Sequence, residues 1–494
     1  MKQNFLSLIQ KYGSVAFYVL AIMGTIGLMI VQLAHAYCND VDSGYYLSIS
    51  NRISEGYTLY KDVACGYTPL HIYLCAGLRY LFNLPYNCYW PYLLFQQLLR
   101  IGGALFVFGI AREMKAKRFA SALAATYVCM LFFKEEGTSV LLEVPSVFWG
   151  LAGCYAILKL RDKNPWHGLW MGLLLSFAYL SKQYGLGFLP LALLLIFFST
   201  QRKEWWRRLV AILVGYMIPI IFVILIFGRD FYYVLFPTYG TTFIEGTGVE
   251  YTLTMRIESI LKAMLRNCTN YALIVVTSLL LLPHAIKQKQ WKMYVFCLCG
   301  YLGFSLQYYF TLTPAMHYAL YMMPFVALLI AWISLVDSPR WLKTIVWLSV
   351  VYIFLQRGFR LCERNIPSWR REFASDFIRN MSNYCDENIP PKSVVFLEDW
   401  ILEPIYFNAE IMPPLIKEYG YSFGPSGMKY SQAIEQLQQA DFAIFKIRTN
   451  YTEKSVYYFA EQLFQQIKEY PYNEYAGYYI FDLREKPFQG SLGK

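Results

Sequence analysis

From Leu209 to Gly228 the chain runs for twenty residues without a charge, and ten further stretches repeat that pattern less perfectly. A helix needs about 20 predominantly apolar residues to cross a bilayer. The stretches fall near residues 14–35, 90–111, 119–133, 138–158, 166–181, 184–199, 209–228, 271–285, 293–311, 317–335 and 344–357. They predict a polytopic α-helical membrane protein with about 11 transmembrane helices. Composition agrees, with 57% hydrophobic and only 16% charged residues, where a soluble domain carries about 25% charge.

The basic residues orient these spans, because short cytoplasmic loops retain Lys and Arg. Arg112, Lys115, Lys117 and Arg118, then Lys159, Arg161 and Lys163, then Arg202, Lys203, Arg207 and Arg208, then Lys287, Lys289 and Lys292, then Arg340 and Lys343 all fall on one side. Only Glu113, Asp162, Glu204 and Asp337 oppose them, so the net charge of +11 is a property of cytoplasmic loops and not a nucleic-acid footprint. The segment Leu70–Leu84 is apolar enough to look like another span, but counting it would move every strongly basic loop outside. It reads instead as a re-entrant or membrane-surface helix within a long external loop, residues 37–89, with Arg79 reaching for the interface. The N-terminus, with Lys2 and Lys11, is then cytoplasmic. The first span has no small-residue cleavage site ahead of Asp40 and reads as a retained anchor.

From about residue 359 charges return at nearly even sign and apolar runs shorten to strand length. The expected organisation is a transmembrane unit over 1–358 and a soluble extracytoplasmic α/β domain over 359–494. Helical periodicity covers Arg370–Cys385, Lys429–Gln439 and Glu453–Glu469, while Ser393–Leu397, Asp441–Ile447 and Gly477–Leu483 read as buried strands. No Gly-rich phosphate loop opens any of those helices. Asp399 follows the first strand, where α/β ligands often bind, yet a solvated loop acid is the better reading. The eleven cysteines form no CxxC pair. Cys38 and Cys65 share the external loop and could oxidise, and no Cys/His clustering fits zinc. Sequons at Asn267, Asn380 and Asn450 matter only in an endoplasmic reticulum lumen.

The external loop carries the chemistry. It opens Asn39-Asp40-Val41-Asp42-Ser43-Gly44-Tyr45-Tyr46, continues Ser54-Glu55-Gly56-Tyr57-Thr58-Leu59-Tyr60-Lys61-Asp62, and reaches Gly66-Tyr67-Thr68-Pro69-Leu70. Two acids at the mouth of an apolar bundle suggest a site, although Asp40 and Asp42 could simply cap a loop helix. The Asp-x-Asp spacing can also hold a divalent cation through oxygen ligands. Further on, Glu143 precedes Val144-Pro145 about one and a half turns inside a span, where an unpaired charge costs about 2.5 to 3.5 kcal/mol. Pairing with Lys182, at an outer turn, or a place in a water-filled cavity would compensate it. Arg100, mid-span beside Gln96 and Gln97, faces the same cost and reads as structural.

In order and spacing, these motifs resemble the GT-C superfamily of membrane glycosyltransferases, and within it the protein O-mannosyltransferase and lipid A aminoarabinose transferase group. That pattern has an Asp-Glu opening, a Gly-x-x-Tyr-x-Asp run and a Pro-Leu before an apolar helix. Glu143, Lys182 and His317-Tyr318 followed by Pro324 match weaker positions. The resemblance covers most of residues 14–335 and is strongest over 37–75. It implies an inverting enzyme that moves a hexosyl or pentosyl group from a polyprenyl-phosphate donor to a lipid, polysaccharide or protein acceptor on the outer face of the membrane.

Asp42 aligns with the catalytic aspartate and is the expected general base, with Asp40 beside it. Two departures stand out: the Glu that follows the aspartate is Ser43 here, and the lysine that often precedes Pro-Leu is Tyr67. The cation for the departing phosphate must then come from elsewhere. Lys182 is the first candidate, against the plain reading of an interfacial anchor, followed by Arg52 and Lys61; Glu143, Tyr67 and His317 complete the expected donor-binding set. A donor with one phosphate requires no cofactor, and a divalent cation on Asp40 and Asp42 stays open. Loop tyrosines such as Tyr45, Tyr46, Tyr57 and Tyr60 could stack on sugars, though interfacial belts explain most of the aromatic load. The competing class is a transporter or flippase of a lipid-linked or envelope substrate, which should carry internal repeats and midplane polar sites. No repeat is visible. The expected location is a bacterial inner (plasma) membrane.

Overall fold

The computed structural model describes residues 2–34, 41–63, 65–84, 88–134, 137–199, 204–228, 231, 252–267, 273–306, 316–370, 383–385, 387–391, 393–397, 410–411, 430–447, 460–475, 477–485 and 488–489. Helices stand at each of the eleven apolar stretches. In chain order they begin α1 (Lys2–Ala34), then an inserted pair α2 (Val41–Ser54) and α3 (Leu70–Phe82). There follow α4 (Trp90–Glu113), α5 (Arg118–Lys134), α6 (Glu143–Lys159), α7 (Gly168–Ser181), α8 (Phe188–Ser199) and α9 (Trp205–Phe227). Later helices span Leu253–Asn267, Leu273–Leu279, Leu282–Lys287, Trp291–Ser305, Met323–Ile333 and Arg340–Arg370. Among the described residues, four are long and apolar enough to cross a membrane by length and composition: Val15–Ala34, Trp90–Glu113, Trp205–Phe227 and Arg340–Cys362.

The shorter spans have local causes. The stretch at 271–285 breaks in two, with Pro283 opening the second piece, since proline fits a first helical turn but not an interior. The stretch at 138–158 becomes helical only at Glu143, whose helix carries Pro145 in its first turn. Residues 137–142 ahead of it are non-helical. Leu70–Phe82 forms the expected helix and stops at Asn83, which takes the left-handed conformation (φ 47°) that closes a helix. Residues 41–54, which the sequence places in the external loop, form α2; Asp42 in its first turn and Arg52 in its last complement the helix dipole. α2 packs on α3. Arg79, expected at the membrane interface, donates to Asn51 Oδ1 at 3.0 Å and lies 4.0 Å from Glu55.

Close backbone contact holds the bundle where α7 meets α9. A Cβ added at Gly172 would lie 2.1 Å from the carbonyl oxygen of Ile212, and one at Gly215 would lie 2.1 Å from that of Leu169. Small residues permit such approach between membrane helices, where packing replaces the hydrophobic effect as the driving force. Gly172→Val is therefore expected to destabilise the protein by at least about 1–3 kcal/mol, read as a lower midpoint of thermal unfolding in detergent. An unchanged midpoint would contradict this packing. Beside the contact, buried Arg208 donates to the carbonyls of Leu160 (2.8 Å) and Lys163 (2.7 Å), closing the C-terminal end of α6.

The C-terminal region carries a five-stranded mixed sheet of order β2-β1-β3-β5-β4. β1 (Val394–Leu397) pairs in parallel with β2 (Glu410–Ile411) and β3 (Phe442–Lys446), and β5 (Tyr478–Asp482) runs antiparallel to both β3 and β4 (Tyr472–Tyr475). Helices Tyr430–Gln439 and Ala460–Ile467 precede β3 and β4, matching the expected alternation. β2 and β4 are additions to the expected strands: β2 is two residues long, and the β4–β5 hairpin turns through Gly477 at φ 87°, a conformation glycine adopts without strain. One apolar cluster joins Tyr45, Tyr46, Ile49 and Ile72 of α2 and α3 to Phe396, Ile434, Phe445 and Phe481, so the inserted helix pair and the sheet share a core.

Candidate active site

Four elements converge where α2 begins. Asp42 stands in the first turn of α2, and Glu143 opens α6. Lys182 follows α7 in an extended conformation before the turn Gln183–Gly187, and His317 belongs to the short helix Met316–Tyr321. His317 bridges the two carboxylates, with Nδ1 3.8 Å from Asp42 Oδ2 and Nε2 3.6 Å from Glu143 Oε1. Lys182 Nζ in turn donates to Glu143 Oε1. Exposure falls along the row: the Asp42 side chain is 32% exposed, His317 12%, and Glu143 0%. Asp42 stands at the mouth and the Lys182 ammonium on the floor.

The loop before α3 is tied to that floor. Thr68 Oγ1 donates to the carbonyl of Tyr179 at 3.0 Å, and Gln183 Nε2 donates to that of Gly66 at 2.8 Å. These bonds hold Tyr67 over Lys182, whose Nζ lies 5.1 Å from the Tyr67 ring, 4.9 Å from Tyr318 and 5.8 Å from Tyr184. A buried ion pair repays its desolvation only with further favourable contacts; three ring faces supply them to the ammonium. On the acid, Glu143 Oε2 is buried and has no hydrogen-bond partner among the described residues. Burial, and next the Asp42 charge, push the Tyr67 phenol far above its usual range. It therefore stays a neutral hydroxyl, able to donate to an anion. Burial does the same to Tyr46, reinforced by Tyr67 and Asp42.

Of the residues singled out from sequence, Asp42, Glu143, Lys182, Tyr67 and His317 meet here. Arg52 does not: it is buried at the far end of α2, ten residues or about 15 Å from Asp42, 3.5 Å from Glu55 and stacked over Tyr57. Lys61 is exposed in the turn after Tyr60. Asp40, Cys38, Asp399, Asn380 and Asn450 lie outside the described residues. Cys65 is a free, buried thiol whose pKa burial pushes up to about 12. Among the described residues no group of three or more His, Cys, Asp or Glu is arranged to hold a metal ion. Arg100, read as structural, donates to the carbonyls of Gly137 (3.2 Å) and Ser139 (3.0 Å). Sequence reasoning missed Tyr184, and noted Tyr318 only as part of the His317-Tyr318 motif. The only available signal was their place next to Lys182 and His317.

The resemblance seen in sequence recurs when the chain is compared with known proteins. Residues 67–227 match the family model described as dolichyl-phosphate-mannose-protein mannosyltransferase. Among solved structures, ArnT from Cupriavidus metallidurans bound to undecaprenyl phosphate superposes with a TM-score of 0.58 at 12% identity, over 94% of this chain and 98% of that one. Its apo form gives 0.58 at 11% identity, over 95% and 98%. The Archaeoglobus fulgidus oligosaccharyltransferase gives 0.51 at 11% identity, over 89% of this chain and 70% of that one. No curated protein matches.

Proposed function

We propose that the protein is an integral membrane glycosyltransferase that moves a sugar from a polyprenyl-phosphate donor to an acceptor at the outer face of the membrane, with inversion. The observation that carries this reading is the meeting of an accessible carboxylate, Asp42, with a buried ammonium, Lys182, through His317 and Glu143. Group transfer from a phosphate needs those two functions on opposite sides of the reacting carbon. The acceptor hydroxyl oxygen attacks the anomeric carbon, its proton passes to Asp42, and the bond from that carbon to the phosphate oxygen breaks. The electron pair leaves with the polyprenyl phosphate toward Lys182, where the Tyr67 hydroxyl can donate as well. Glu143 holds the ammonium in place between turnovers, and the donor phosphate competes with it. Lys182 thus supplies the cation that the Pro-Leu motif lacks at Tyr67.

The fold of ArnT, an enzyme solved with undecaprenyl phosphate, supports a lipid phosphate donor. The basic loops support a cytoplasmic N-terminus, an external α2–α3 pair and an external C-terminal domain. No metal is required by this chemistry. The test is the anomeric configuration of the product formed from a polyprenyl-phosphate sugar by the purified protein, followed by NMR. The expected product is inverted relative to the donor. Retention of configuration would overturn the single-displacement mechanism.

A further inference from the structure

Residues 137–142 are non-helical, yet they lie against α4 and all but Thr138 are buried. Backbone of this kind is tolerated at membrane depth only when protein groups satisfy it. Here each carbonyl from Gly137 to Leu141 meets a side chain. Arg100 donates to Gly137 and Ser139 at 3.2 and 3.0 Å, and Tyr89 to Thr138 at 2.8 Å. Ser43 donates to Val140 at 3.4 Å, and Gln96 to Leu141 at 2.9 Å. Ser43 also accepts the N–H of Val140 at 2.8 Å. Its hydroxyl is fully buried, with the Tyr89 hydroxyl 3.3 Å away.

These bonds do more than satisfy the segment, because of where its ends lead. Ser43 is the residue after Asp42, and Val140 is three residues before Glu143, the partner of Lys182. We propose that Ser43 is a positioning residue: its two-way pairing with Val140 fixes the Asp42 carboxylate relative to the Glu143–Lys182 pair, on a segment that Arg100, Gln96 and Tyr89 hold rigid. The inference rests on the reading of Asp42 as general base. A base displaced by about 1 Å from its working geometry loses on the order of 100-fold in rate, whereas donor binding, which depends on Lys182, is untouched.

The experiment compares wild type, Ser43→Ala, Asp42→Asn and the double variant in steady-state transfer from a polyprenyl-phosphate sugar, with thermal unfolding as the control for folding. Ser43→Ala is expected to lower kcat by about 10- to 100-fold while changing the donor KM less than about twofold. The double variant is expected to be no slower than Asp42→Asn, because a residue acting through the base has nothing left to position. Arg100→Lys, which keeps the charge but not the two-carbonyl fork, should lower kcat in the same way. A kcat for Ser43→Ala within twofold of wild type, or an equal further loss in the Asp42→Asn background, would overturn the proposal. Full activity in Asp42→Asn would overturn the assignment of the base, and the inference with it.

Discussion

Asp42→Asn is expected to transfer sugar at least about 100-fold more slowly than wild type, with an unchanged unfolding midpoint and unchanged donor affinity. The substitution is nearly isosteric. It removes the lone pair that accepts the acceptor proton and leaves the rest of the site in place. Asp42 is partly exposed at the mouth and is the last member of the row. Losing its charge leaves the Glu143–Lys182 pair intact. The loss should fall on kcat, since the group acts on the proton in the transition state and not on the donor phosphate. Initial rates with radiolabelled donor across a range of concentrations separate the two effects. A rate within a few-fold of wild type would place the base elsewhere, with Asp40 and Glu143 the next carboxylates to test.

Lys182→Met should be more damaging, because it acts on function and folding together. Removing the ammonium leaves Glu143 fully buried without its main counter-charge, and breaking a buried pair from one side costs about 3–5 kcal/mol. Transfer should fall below detection through loss of the leaving-phosphate partner. The two effects separate in Lys182→Met/Glu143→Gln, which removes both charges. That variant is expected to regain most of the thermal stability and none of the transfer. Binding of polyprenyl phosphate by the stable double variant at wild-type affinity would show that Lys182 is only half of a structural pair.

Much of this arrangement could be read before any coordinates, and the parts that could not share a cause. The apolar stretches and the C-terminal strands are local signals, and helices or strands stand at each; the helix expected over Arg370–Cys385 lies mostly outside the described residues. Lys182 could be named as one of two ways to compensate Glu143 at membrane depth, the other being a water-filled cavity. That Tyr184 and Tyr318 join Tyr67 around the ammonium could not be read, since they come from separate elements and any of many tyrosines would have served. Arg52 and Lys61 attracted notice as loop cations near the motif in sequence. In space one is drawn to Glu55 and the other points to solvent. The extent of helix α2 was hidden by its polar, glycine-bearing sequence, which gains its stability from packing on α3 and the sheet and not from propensity. The most concealed feature is the role of Ser43, because it depends on Val140, 97 residues away.

The central claim is that this site breaks the bond between a sugar and a polyprenyl phosphate. The most direct measurement is release of radiolabelled sugar from a panel of polyprenyl-phosphate sugars by the purified, folded protein in lipid vesicles, supplied with membrane extract as the source of acceptor. The account predicts consumption of at least one donor, with free polyprenyl phosphate appearing in equal amount and the sugar joined to an acceptor. Movement of an intact lipid-linked sugar across the vesicle membrane, with no bond broken for any donor, would contradict it and identify the protein as a transporter.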